Sequence, residues 1–129
     1  AAFIAICAVL VFHIFAIATG LYGWVSDLDI PMHFAGGFVM GMLALAIHHR
    51  MTDVHHMKGM PWWYHTVFIL GFVMLVGVAW EFHEYVIDET IGAWRDWPRM
   101  QLSLSDTMLD FVMDGLGGFV ALAVFRKKL

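Results

Sequence analysis

The chain has 129 residues, 61% of them hydrophobic and only 14% charged, with a formal net charge of −4. A soluble domain of this size cannot bury so much apolar surface, so the composition excludes a soluble globule and points to an integral membrane protein. Seven Lys and Arg stand against eleven Asp and Glu, with no basic stripe, so nucleic acid is not an expected partner. Cys7 is the single cysteine, which rules out an internal disulfide.

Crossing the hydrocarbon core takes about 20 mostly apolar residues. Four stretches qualify, at about residues 3–24, 30–48, 62–86 and 106–125. The first is interrupted only by His13 and Gly20. It lacks a basic flank and a small-residue cleavage site, so it is read as a retained span. Pro31 suits the first turn of the second span, where a missing N–H costs nothing, and Pro61 does the same job just before the third. Ser103 or Ser105 is placed to cap the fourth. Trp24, Trp62, Trp63, Tyr64, Trp94 and Trp97 fall at segment ends, as an interfacial aromatic belt requires. Gly36, Gly37 and Gly41, and later Gly115, Gly117 and Gly118, make small faces on which helix backbones can approach. Residues 88–104 form the one long connection, expected as a surface loop or an interfacial helix. No domain boundary or repeat interrupts the chain. The expected fold is all-α, an integral membrane four-helix bundle.

Four spans put the N-terminus, the 49–61 loop and the C-terminus on one side. That side carries Arg50, Lys58, Arg126, Lys127 and Lys128, against Arg95 and Arg99 on the other. The excess of basic residues predicts that both termini are cytoplasmic. The start of span two, the end of span three and the start of span four then share the outer side.

Ionisable residues inside the spans collect at that end. Asp106, Asp110 and Asp114 are four apart, on one face of the last helix. Asp29 and His33 share a face of the second span, and Glu81 and Glu84 a face of the third, with His83 pointing elsewhere. Charges in lipid are costly and mark functional positions by default. Asp106 is explained by its place at a helix N-terminus. Asp29, His33, Glu81, Glu84, Asp110 and Asp114 need compensation, and His33 and His13 are the only candidate basic partners inside the spans. The three ways to compensate are a divalent metal, shared protons or basic partners. Oxygen-rich ligands with one imidazole suit Zn, Mn, Mg or Fe. A carboxylate-bridged two-metal site wants paired Glu-x-x-His motifs, and Glu81-Phe82-His83-Glu84 sets the histidine one position early. His13 reads as a core histidine bonded to a neighbouring helix. A second group, His48, His49, Met51, His55, His56, Met57, Met60 and His65, has ligand types suited to copper, zinc or nickel but no tight spacing, and reads as a solvated polar loop.

The aspartate ladder is similar to that of the CDP-alcohol phosphotransferases, but the earlier Asp-x-x-Asp-Gly portion of their signature is missing. The chain more closely resembles the VanZ-like family and the related YjdF-type membrane proteins. The shared features are Asp29-Ile30-Pro31-Met32-His33-Phe34 opening a helix, Glu81 or Glu84 ending a later one, and Thr107, Asp110, Asp114 and Gly117 or Gly118 on the last. It departs in having Ile30 where those chains often have Lys and Asp114 where they often have Asn, and their Gln after the Glu has no counterpart placed here. The resemblance implies a multi-pass protein of the cell membrane and envelope, in a family linked to tolerance of glycopeptide antibiotics, and implies no reaction. The extra acid without the lysine favours a metal or a cationic head group. As an enzyme, its natural chemistry is a metal-activated water acting on a lipid head group or lipid-linked substrate. The rival readings are a non-catalytic accessory subunit packing on a larger membrane complex or another copy of itself, and a proton- or cation-conducting element.

Overall fold

The computed structural model describes residues 1–54, 60–95 and 99–125. Four of its helices are long and apolar enough to cross a membrane, and no strand occurs among the described residues. Helix α1 spans Ala2–Thr19 and is followed by a short α2 at Leu21–Trp24. The expected first span, 3–24, is therefore broken. Gly20 takes φ 70°, a left-handed conformation cheap only for glycine, and its N–H closes back on the carbonyls of Ala16 and Ile17. Helix α3 covers Asp29–Val54, with Pro31 in its first turn, and continues past His48. Helix α4 covers Trp62–Ile87, with Pro61 immediately before it at the N-cap.

The long connection is partly helical. A π-helical turn, Asp88–Gly92, runs on from α4 into the single turn α5, Ala93–Arg95. Helix α6 then covers Leu104–Phe125. Ser103 is the residue that caps it: its Oγ accepts the Asp106 N–H at 3.2 Å, and the Asp106 carboxylate accepts the Leu102 N–H at 3.4 Å. Asp106 thus does the helix-end work expected of it.

Glycine contact decides the packing. The most extensive contact is between α3 and α6. A Cβ on Gly37 would overlap the Asp114 backbone, and one on Gly117 would overlap the Phe34 carbonyl and Phe38 N. On Gly41 it would meet Ala121 Cβ at 2.8 Å, and on Gly118 the Val73 side chain of α4 at 2.9 Å. Without a hydrophobic drive between helices in lipid, such close approach supplies the dispersion energy that holds them together. Ala44, Leu45, Ile69 and Leu122 form a buried apolar cluster between α3, α4 and α6, with Phe68, Phe72 and Phe125 packed on it. Trp24, Trp62, Trp63 and Trp94 are exposed at helix ends, while Trp97 lies outside the described residues. Helix α1 packs chiefly on α3 and buries only Ala16. Its outward Phe3, Ile4, Val11 and Ile14 suit contact with lipid chains.

Candidate functional site

The start of α3, the end of α4 and the start of α6 meet at one end of the bundle, and His33 sits where they converge. One helical turn separates it from Asp29, a rise of about 6 Å. The ring is a hub for four carboxylates from three helices. Its Nε2 lies 3.7 Å from Asp29 Oδ1, 3.7 Å from Glu81 Oε1 and 3.9 Å from Asp110 Oδ1. Its Nδ1 lies 3.4 Å from Asp114 Oδ1. His33, Glu81, Glu84, Asp110 and Asp114 are all buried, at 3–6% exposure, and only Asp29 is partly open. The two ring nitrogens divide the cluster, with Asp29, Glu81 and Asp110 on one side and Asp114 on the other.

A protonated His33 would bring one positive charge, against four surrounding carboxylates. Removing an ion from water costs several kcal/mol unless attraction and hydrogen bonds repay it. Some repayment is visible. The Gln101 side-chain amide donates to Glu81 Oε2 at 2.9 Å and to the Glu81 carbonyl at 3.1 Å. Gln101 is held in turn by Asp88, whose buried carboxylate accepts the N–H groups of Met100 and Gln101, each at 3.0 Å. Glu84 stands apart from the His33 hub, with its Oε1 accepting the Trp80 indole N–H at 2.9 Å. Among the described residues, two buried side-chain oxygens have no hydrogen-bond partner, Glu81 Oε1 and Asp114 Oδ2. The account of charge and hydrogen bonds is therefore short of cations and donors.

Asp29, His33 and Asp110 each offer a ligand atom, all within 4.8 Å of one another, a spacing from which three groups can converge on one ion. His13 is half-buried and bonded as expected of a core histidine, but within its own hairpin: its Nδ1 lies 2.7 Å from the Tyr22 hydroxyl, and its ring meets Trp80 edge-on. Burial, with Asp29 and Glu84 nearby, pushes the Tyr22 hydroxyl up to about 12, so it stays protonated. His83 is exposed and stacks on Trp80, away from the cluster.

At the opposite end, His48 is buried and hydrogen-bonded to His65, whose Nε2 lies 3.1 Å from the Met60 carbonyl. His48 is thus a packed residue and not part of a solvated loop, while His49 is exposed and pairs with Asp53 at 3.0 Å. His55, His56 and Met57 lie outside the described residues, as do Lys58 and Arg126, Lys127 and Lys128 of the orientation argument.

Three residues of the site were not singled out from the sequence. Gln101 and Asp88 lie in the long connection, where no periodicity points to them. Gly77 makes room for the Asp114 carboxylate, since a Cβ there would overlap Asp114 Oδ2. A glycine one helical turn before Glu81 was the available signal.

No curated protein and no solved structure matches the chain. One family model does, described as "Predicted membrane protein (DUF2238)", and it matches residues 1–128. Four apolar helices spread along that matched length agree with the description, and the chain belongs to the DUF2238 family of membrane proteins.

Proposed function

We propose that this is a VanZ-like, multi-pass protein of the cell envelope whose buried carboxylate–histidine cluster binds a divalent cation. Asp29, His33 and Asp110 are the central ligands, and Glu81, Glu84 and Asp114 complete the acidic surround. The observation that carries the reading is the convergence of those three ligand atoms within 4.8 Å, beside a Glu81 oxygen that has no hydrogen-bond partner among the described residues. Carboxylate oxygens with one imidazole fit Zn, Mn, Mg or Fe. A metal held there supplies an acidic, activated water, suited to attack on a lipid head group or lipid-linked substrate. The protein's own residues do the rest: Gln101 fixes Glu81, Trp80 fixes Glu84, and the α3–α6 glycine contact fixes His33 against Asp110 and Asp114. With both termini in the cytoplasm, the site opens to the outer face of the cell membrane. Metal analysis of the purified protein tests the reading: bound divalent metal supports it, and its absence with stability indifferent to a chelator defeats it.

A second reading is a non-catalytic accessory subunit of a larger membrane complex. It is favoured by α1, which buries a single residue, Ala16, and leaves its other faces for a partner or a second copy. Purification as a lone stable monomer counts against it.

A further inference from the structure

A cavity with about 100 Å³ of room lies between α1, α3 and α4. It is a two-natured space. Val9 and Leu10 of α1, Met40 of α3 and Val73 and Val76 of α4 make its apolar walls. Asp29, His33 and Asp114 line it as well, as does the hydrogen-bonded His13–Tyr22 pair. Helix α1 packs chiefly on α3, so the cavity occupies the cleft between α1 and α4, on the flank of the bundle where lipid chains lie. No Lys or Arg is among its lining residues. Asp114 is 5% exposed, and its Oδ2 has no hydrogen-bond partner among the described residues. The other carboxylate oxygen, Oδ1, lies on the Nδ1 side of His33, while Oδ2 faces Gly77 of α4, which also lines the cleft.

From this juxtaposition we propose that the cleft binds the head of a single-chain cationic amphiphile, a protonated primary amine carrying an alkyl chain. The ammonium donates to the Asp114 carboxylate where it lines the cleft. The first methylenes fill the apolar walls, and the rest of the chain follows α1 into the bilayer. A phosphate head is repelled by the same carboxylates, and an alcohol brings one donor and no charge. The inference rests on the reading of the cluster as a cation site, but it uses Asp114 and the cleft rather than the metal ligands.

The test uses the full chain in nanodiscs of neutral lipid, with empty nanodiscs as the partitioning baseline. Binding of labelled dodecylammonium, dodecanol and dodecyl phosphate is measured, with metal content determined on the same samples. Dodecylammonium is expected to bind saturably above the baseline, and Asp114→Asn to weaken it about ten-fold or more. Leu10→Trp, which fills the cleft from α1 without touching a carboxylate, is expected to abolish binding and leave metal content unchanged. Binding no greater than in empty nanodiscs, equal binding of all three heads, preference for the phosphate, or wild-type binding by Leu10→Trp overturns the proposal. Wild-type protein that holds metal but binds no amine defeats this inference alone; wild-type protein that binds amine without any metal defeats the metal reading alone.

Discussion

Gly77 of α4 and Asp114 of α6 occupy each other's space: the Asp114 carboxylate lies where a side chain on residue 77 would begin. That contact sets α4 close enough to α6 for Glu81, one turn further on, to reach His33. Gly77→Ala is expected to push the carboxylate away or part the helices, at about 1–3 kcal/mol. Gly71→Ala is its control, because among the described residues nothing lies within 4 Å of a Cβ there. Unfolding in mixed micelles should separate the two, with the first destabilised and the second unchanged.

Gln101 is expected to matter more than an amide on a connecting loop ordinarily would. Replacing it by Leu removes both donors to Glu81 and leaves a buried carboxylate with neither oxygen satisfied. The expected loss is about 1–3 kcal/mol. Gln101→Glu sets a like charge beside Glu81 and should cost at least as much. Thermal unfolding of the two variants against wild type checks this, and equal stability of all three contradicts it.

Asp88 anchors the loop that carries Gln101. Asp88→Ala frees the N–H groups of Met100 and Gln101 and should raise their hydrogen exchange, while amides in the middle of α3 and α6 keep their protection. A uniform rise across the helices would show instead that Asp88 supports the whole bundle.

Tyr22 supplies a pH prediction. Its hydroxyl is pushed up to about 12, so its folded pKa lies above its unfolded value. The folded state therefore holds the proton more tightly. The resulting stability is present below pH about 10, the unfolded value, and is lost as pH rises through about 12. Ultraviolet titration should show one late-ionising phenol that Tyr22→Phe removes. A titration with no such phase contradicts the assignment.

Much of the site is legible in the sequence for one reason. A carboxylate in an apolar helix is so costly that its position alone is informative. Asp110 and Asp114 share a face with each other, as do Asp29 and His33, and spacing of four was enough to say so. Depth along each helix then brings the three groups to one end of the bundle. Glu84 differs: its spacing from Glu81 places both on one face, but the Trp80 indole holds it apart from the His33 hub. Gln101 and Asp88 were out of reach because their roles depend on how an irregular segment folds back on α4. Gly20 was visible as an interruption, but its left-handed turn, which ends α1 at Thr19, depends on local backbone geometry.

The central claim is that the Asp29–His33–Asp110 convergence holds a divalent cation. The most direct measurement is elemental analysis of the full chain purified without chelator, beside Asp110→Asn, followed by unfolding with and without chelator. The account predicts about one divalent metal per chain, a lower unfolding midpoint once it is stripped, and loss of both in Asp110→Asn. Wild-type protein free of metal, with an unfolding midpoint that a chelator does not move, would contradict it.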